Sequence, residues 1–389
     1  MIVDLHSHYP IHLLAGEPDA VALMTSEGRP SLADRLRALV LRAANRIANY
    51  PGKGERPAVT VPTLAHSNVR VALSVLYAPF AEIDLDQDYG APPEPGYFDD
   101  LLKQLDLVER EVAGQPALAV LAHNGAELAA AQAAGKVALV HAVEGGFHLG
   151  DTADAVTRNV RTLKQRGVAY VTVAHLFWRR VATNSPGIPF LPDALYTILF
   201  RQPRTGLTAL GEALIRAMVE NRILVDVTHM SRESIDATLL LLDQLDPGGT
   251  VPLVATHSAC QAFGRASYNV ADDHITAVAR RGGVIGLIAS KHWMAQGFPE
   301  PKTFDDTIDI VCRHIDHIRT VVGDPEGVHR FVAFGSDQDG FIKPALPGLK
   351  TPAGFVRVEE ELVKRYGAAA ARDICSGNAL RVLRYCLAS

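Results

Sequence analysis

The chain has 389 residues, 48% hydrophobic and 21% charged, with a formal net charge of −5 and 15 histidines. This is globular composition with ample length for a large core. There is no long basic or acidic run, so nothing in the charge pattern points to a nucleic-acid or membrane surface.

Read in chain order, eight short runs rich in Val, Ile, Leu and Ala have the pattern of strands: IVDLHS (2–7), VRVALSVLY (69–77), VALVHAV (137–143), AYVTVAH (169–175), ILVDVTH (223–229), PLVATH (252–257), VIGLIAS (284–290) and FVAFGSD (331–337). They are continuously apolar rather than alternating, as parallel strands buried on both faces are. Amphipathic helical text separates them. AVTRNVRTLKQR (155–166) stops at Gly167, TALGEALIRAMVENR (208–222) carries Leu210, Leu214, Ala217 and Met218 on one face, and SIDATLLLLDQL (234–245), DDHITAVARRGG (272–283) and residues 304–321 behave alike. DICSGNALRVLRYCL (373–387) reads as a closing helix. Strand–helix alternation repeated eight times predicts an α/β fold, a (β/α)8 TIM-type barrel, with an open doubly wound sheet as the structural alternative.

One barrel domain over 1–389 accommodates the whole chain, with insertions at about 9–62, 78–100 and 184–206. The first holds helical text, SLADRLRALVLRAANRIANY. The second is acidic and proline-rich and reads as a loop over the barrel mouth. The third is a further loop-like insertion. The four cysteines, Cys260, Cys312, Cys375 and Cys386, form no CxxC pair, which suits a reducing compartment. No apolar run approaches the ~18 residues of a membrane span, and MIVDLHSH opens inside the first strand with no signal-peptide pattern. A soluble cytoplasmic protein, without nucleic-acid or membrane partners, is the expectation.

Several of the strand runs end in a metal-type ligand. His6, His8, Glu144, His175, His229, His257 and Asp337 all fall at or just past strand ends, and in a barrel those ends converge on one catalytic face. A lone strand-end histidine is more often a buried core or loop residue, Glu144 before Gly145-Gly146 could flank a turn, and Asp337 and Asp339 could cap a loop. Their arrival together argues for a metal site. His6 and His8, two apart in a strand, point to the same side. Four histidines and a carboxylate suit zinc, with room for two ions if the carboxylate bridges them. Two ions about 3.5–4 Å apart can hold a shared hydroxide. The other histidines (His123, His148, His274, His292, His314 and His317) read as surface, helix or loop residues, and His141 as a core histidine close to Glu144.

The set DLHSH, VEGG, VTVAH with downstream Asn184, DVTHMS, ATHSA, FGSDQDG and SGNALRVLR resembles, in order and spacing, the membrane (renal) dipeptidase family, peptidase family M19, of the metal-dependent amidohydrolase superfamily. The resemblance runs from the first strand to the last helix. It implies that His6 and His8 bind one zinc, that Glu144 bridges, and that His229 and His257 bind the second. It implies that His175 contacts the scissile carbonyl and that Asp337 shuttles the proton; Asp339, two residues on, reads as structural or as a support behind the site. It implies hydrolysis of the amide bond of dipeptides or similar small molecules by a metal-bridging hydroxide, and a homodimer.

Two positions depart from the family pattern. His8 stands where the family usually has aspartate, which leaves the site one negative charge poorer and opens the choice between one ion and two. Tyr268-Asn269 stands where an Arg-Asn pair often grips the substrate carboxylate, so Arg265 or Lys291 is the candidate replacement. Candidate substrate-binding residues are Asn184, Arg265, Tyr268 and Asn269. The alternative activity is that of an amidohydrolase on a cyclic amide, lactone or N-acyl amino acid. A phosphotriesterase-like enzyme is disfavoured because Glu144 fills the place of a carbamylated lysine. A non-catalytic binding barrel is disfavoured because ligands, His175 and Asp337 are all present.

Overall fold

The computed structural model describes residues 1–16, 57–82, 89–188, 191–340 and 345–388. The helical text at 31–50 lies outside these, as do parts of each expected insertion. Nine strands are present among the described residues: β1 Ile2–Ser7, β2 Val69–Leu76, β3 Ala119–Leu121, β4 Val137–Glu144, β5 Tyr170–Thr172, β6 Leu224–Asp226, β7 Leu253–Ser258, β8 Val284–Leu287 and β9 Val332–Phe334. Neighbours run β2-β1-β9-β8-β7-β6-β5-β4, all parallel, and β2 pairs with β4 to close the ring. This is the (β/α)8 barrel, and closure rules out the open sheet. The eight expected runs each supply one barrel strand. β3 is additional, pairing Ala119–Leu121 with the start of β4; three residues are too few to show as a periodic run.

Two layers of apolar side chains explain the strands' continuous hydrophobicity. Val3 and Leu5, Val71, Leu73 and Val75, Ala138, Val140 and Ala142, Tyr170, Leu224, Val254, Val284 and Ala333 fill the barrel interior, with Val382 and Leu383 of the helix Asn378–Cys386 against them. Alternate residues, among them Ala72, Leu139, Val143, Val225, Leu253, Ala255 and Ile285, pack outward under the helices. The helices fall where expected: Ala153–Gln165, Ala209–Glu220, Arg232–Leu245, Asp272–Arg280 and Phe304–Val322. Thr152, Thr208, Ser231 and Thr303 each cap a helix start by accepting a backbone N–H.

The interval 78–100 is not simply a loop over the mouth. It contains the short helix Pro79–Glu82, whose last side chain is buried, and the start of the helix Gly96–Ala113. Interval 184–206 contains the helix Asp193–Leu199. No helix among the described residues is long and apolar enough to cross a membrane.

Candidate metal centre

Strand alternation by itself would not bring the ligands together. With Val3 and Leu5 facing the barrel interior, His6 should face the helices. His257 should do the same, following Leu253 and Ala255. Each strand carries a register shift at this point, between Asp4 and Ser7 in β1 and between Ala255 and Ser258 in β7. An irregularity of this kind re-aims a side chain, and both imidazoles turn to the barrel axis. Glu144 ends β4 on its interior face. Gly145 follows with φ 94°, and a Cβ there would lie 2.3 Å from the Phe147 ring, so the turn that frees Glu144 from the ladder requires glycine.

Five imidazoles converge on that carboxylate. Glu144 Oε1 lies 3.4 Å from His6 Nε2, 3.4 Å from His229 Nε2 and 3.3 Å from His257 Nε2. Glu144 Oε2 lies 3.4 Å from His8 Nε2 and 3.3 Å from His175 Nε2. Asp337 Oδ1 stands 3.1 Å from His8 Nε2 and 3.9 Å from His6 Nε2. The His229 and His257 Nε2 atoms are 3.1 Å apart and those of His6 and His8 3.4 Å. Cation-sized groupings form at His6/Glu144/His257, His6/His8/Asp337 and Glu144/His175/His229.

The donor set fits a metal. Tyr170 Oη donates to Leu5 O at 2.9 Å, so it accepts from His6 Nδ1 at 2.8 Å. Thr256 Oγ1 donates to Asp226 Oδ2 at 2.6 Å, so it accepts from His257 Nδ1 at 2.9 Å. Both rings therefore aim Nε2 lone pairs at a carboxylate oxygen and at each other's neighbours. Lone pairs packed this closely in a buried site repel unless cations lie among them. Burial, then the neighbouring imidazoles, lowers the His6 pKa; the same forces lower that of His229 to about 4 despite Glu144. Burial alone would raise the Glu144 pKa, but the surrounding imidazoles hold it well below the usual range. For His6 and His229 this leaves neutral imidazoles beside an ionised carboxylate, the protonation states that metal ligation needs. For His8, burial is outweighed by hydrogen bonding to Asp337 and by the charge of Glu144, which raise its pKa.

Comparison with known proteins gives the family. The membrane dipeptidase family, peptidase family M19, matches residues 35–387. The chain belongs to that family. Dipeptidase 3 of Rattus norvegicus is 28% identical over 288 residues, 73% of this chain and 51% of the relative, and its Mus musculus counterpart is 28% identical over 73% and 50%. The chain thus spans about half the length of these curated relatives. Two solved structures share the fold over almost all of both chains. The dipeptidase AC, a metallopeptidase of family M19, superposes with TM-score 0.69 at 18% identity, covering 100% of this chain and 99% of its own. A Rhodobacter sphaeroides metallopeptidase liganded with a phosphinate mimic of the dipeptide L-Ala-D-Ala gives 0.68 at 19%, covering 99% and 98%.

In this M19 chain, the residues proposed to touch substrate separate into two groups. Tyr268 is buried against the cluster, its ring 4.9 Å from that of His229 and stacked 4.2 Å from that of Trp293, and its hydroxyl donates to His257 O at 2.7 Å. Asn269 donates to Trp293 O at 3.2 Å and leaves Oδ1 unpaired. Asn184 Nδ2 donates to Leu176 O, Ser185 O and Tyr196 Oη, and so ties the segment after His175 to the segment beside His229. These three line a cavity of about 540 Å³ together with Thr228 and Met230, and its lining includes none of the residues of the cluster. The structure does not bring the two expected cations to the cluster. Arg265 is exposed on a loop whose Ala266 N–H is held by Gln296, and Lys291 is paired with Glu300 at 2.7 Å. Asp339 accepts from the N–H groups of Ala58 and Val59 at 3.0 and 2.7 Å, a loop-holding role.

Among the other histidines, His274 and His314 lie on helices as read, but not at the surface. His148, His274 and His314 are buried. His148 accepts from Ala78 N–H and donates to Gly145 O, and His314 accepts from Cys260 N–H and donates to Met294 O. His141 does not back Glu144. It alternates with it on β4 and faces outward, 3.9 Å from Glu109.

Sequence patterns missed the groups that hold the ligands. Tyr170 and Thr256 read as ordinary strand residues. Asp226 accepts from the hydroxyls of Thr172, Thr228 and Thr256 and from the N–H groups of Thr228 and Thr256, joining β5, β6 and β7 beneath the centre. Asp4 likewise accepts from Ser336 and the His6 N–H. Glu82 sits in text read as a loop. The hint available was Asp two or three residues before a strand-end histidine, in DLH and DVTH.

Proposed function

We propose that this chain hydrolyses the amide bond of dipeptides or dipeptide-like small molecules at a centre of two divalent ions, with zinc as the metal. The observation that carries the reading is the convergence of five imidazole nitrogens on the two oxygens of Glu144, with Asp337 Oδ1 3.1 Å from His8 Nε2. Nitrogens gather on both oxygens of Glu144, those of His6, His229 and His257 on Oε1 and those of His8 and His175 on Oε2, which favours two ions, and imidazole with carboxylate suits zinc. Bound divalent ions would supply Lewis acidity toward a carbonyl oxygen and bring the pKa of a coordinated water toward neutrality.

The remaining work falls to the chain's own groups. Asp337 is a carboxylate at the edge of the cluster, placed to take a proton from the attacking water and return it to the departing amine. Burial opposes a charge on His175, but the carboxylates of Glu144 and Glu82 raise its pKa to about 9. At neutral pH its Nε2–H therefore faces the centre, where it can donate to a carbonyl oxygen gaining charge. Tyr268, whose ring lies 4.9 Å from that of His229, forms a wall beside the centre for the rest of the substrate. The dipeptide mimic held by the Rhodobacter sphaeroides protein supports a substrate of dipeptide size.

A second reading, hydrolysis of a cyclic amide, lactone or N-acyl amino acid, is favoured by Tyr268. Its hydroxyl is committed to His257 O and its ring to Trp293, so the position offers an aromatic wall rather than a cation. Zinc-loaded protein tested on L-L, L-D and N-acyl dipeptides separates the two, with Asp337→Asn as control. We expect cleavage of free dipeptides and a loss in kcat of roughly 10²-fold or more in the control. Zinc-containing protein that leaves every dipeptide intact but opens a cyclic amide or lactone would favour the second reading.

A further inference from the structure

Glu82 is a buried carboxylate, 3% exposed, at the end of the short helix after β2. It belongs to none of the cation-sized groupings. Three donors surround it. His175 Nδ1 lies 2.6 Å from Oε2, the Tyr77 hydroxyl donates to the same oxygen at 2.6 Å, and the Phe177 N–H donates to Oε1 at 2.8 Å. Burying a carboxylate is costly unless its oxygens are fully hydrogen-bonded, and here both are. The contacts also join two segments of the barrel mouth, because Glu82 follows β2 while His175 and Phe177 follow β5.

The consequence for His175 is geometric. An imidazole on a loop can rotate and can exchange tautomers. Here Nδ1 must carry its hydrogen toward Glu82, and Nε2 is left pointing at the centre, 3.3 Å from Glu144 Oε2. The ring is held edge-on by Tyr77, 4.6 Å between centroids, and by His229, 4.5 Å. Tyr77 is itself fixed by Gln104 of the helix Gly96–Ala113, which accepts from the Tyr77 N–H at 3.1 Å and donates to its carbonyl at 2.8 Å. We propose that Glu82 is a positioning residue: it anchors the Nδ1–H of His175 and holds the ring in one orientation, in which its Nε2–H meets the substrate carbonyl. The functional half of this inference rests on the hydrolase reading above.

Glu82→Gln is the sharpest test. Glutamine fills the same space, but its amide N–H₂ then faces Tyr77 Oη and His175 Nδ1, which can accept it only by giving up the hydrogens they now donate, so the Nδ1–H anchor of His175 is lost or weakened. We expect kcat to fall roughly 10–100-fold, as loss of a carboxylate behind a functional histidine does, with KM within about threefold, unchanged zinc content and an unchanged circular dichroism spectrum. Glu82→Asp should recover part of the loss. In a His175→Ala background the same substitution should cost nothing further, because a group acting through His175 has nothing left to position. A parental kcat for Glu82→Gln, or full losses that multiply in the double variant, would overturn the proposal. One readout is independent of activity. In metal-free, ¹⁵N-histidine-labelled protein, the downfield Nδ1–H resonance that disappears in His175→Ala should shift or vanish in Glu82→Gln. If it stays unchanged, Glu82 does not hold the ring. If the parent cleaves no substrate but the resonance responds, the positioning stands and the hydrolase reading is what fails.

Discussion

His229 carries its ring on a left-handed backbone, φ 67°, and Asp337 does the same at φ 55°. Non-glycine residues pay about 1 kcal/mol or more for that conformation, and such strain collects where geometry matters more than stability. In both cases the neighbouring backbone enforces it. Ser185 N–H donates to His229 O at 2.7 Å, and Asp337 N–H donates to His6 O at 2.8 Å. Space is equally constrained: a Cβ on Gly340 would sit 2.3 Å from Asp337 Oδ1 and 2.9 Å from His8. At this scale, His229→Ala should lower bound zinc per chain after dialysis, measured by elemental analysis, while leaving the circular dichroism spectrum unchanged. Full metal occupancy in the variant would show that His229 is not a ligand. The identities of the converging residues were legible in the sequence, because each sits at the end of an apolar run. The groups behind them were not. Tyr170, Thr256 and Glu82 act through contacts between residues far apart in the chain, and no local spacing records such contacts.

At the scale of elements, the strands end early. The apolar runs continue through Val173–His175 and Val227–His229, yet β5 stops at Thr172 and β6 at Asp226. The chain leaves the ladder there because the next side chains must turn inward, and Asp226 makes the departure possible. It satisfies the freed N–H groups of Thr228 and Thr256 at 3.0 Å each and binds three threonine hydroxyls. Removing it leaves several buried donors without partners, each worth on the order of 1–3 kcal/mol. Asp226→Ala should therefore lower stability by roughly 3 kcal/mol or more in urea unfolding and also weaken zinc retention, since His229 and His257 both hang from this node. A variant with parental stability would mean that the node is dispensable. The register shifts in β1 and β7 belong to the same scale. Hydrophobic patterning marks a strand, but it does not mark where one extra residue will be absorbed.

For the molecule as a whole, buried neutral histidines predict acid sensitivity. Burial lowers the pKa of His141 to about 3, and those of His148 and His314 to about 4. His123 and Arg166 face His141 and push the same way, Glu82 and His175 face His148, and His317 faces His314. His148 and His314 each accept a backbone N–H on one ring nitrogen, so protonation there would set donor against donor. The unfolded chain takes up these protons near the ordinary value of 6.5, and the folded chain does not until about 3–4. Stability is therefore fully present above that ordinary value and is lost as pH falls toward the folded values, by up to about 1.4 kcal/mol per pH unit for each histidine. Urea midpoints of chelator-treated protein at neutral and mildly acidic pH should show the drop; a midpoint that holds steady would mean that these rings are already charged in the native state.

The sequence by itself determined a parallel α/β fold, since eight apolar runs alternating with amphipathic helices have few other ways to bury their surface, and the pairing of β2 with β4 decided the barrel over the open sheet. It also determined which residue types reach the catalytic face, because strand C-termini converge there in any such barrel. Only the tertiary structure decided which way His6 and His257 point, because alternation predicts the wrong side for both and the register shifts overrule it. Only the tertiary structure decided that Arg265 faces solvent while Tyr268 lies against His229, and that a carboxylate from the segment after β2 meets the histidine after β5. Those outcomes depend on hydrogen bonds and packing between residues tens to hundreds of positions apart, and such energies are set by the folded geometry rather than by neighbours in the chain.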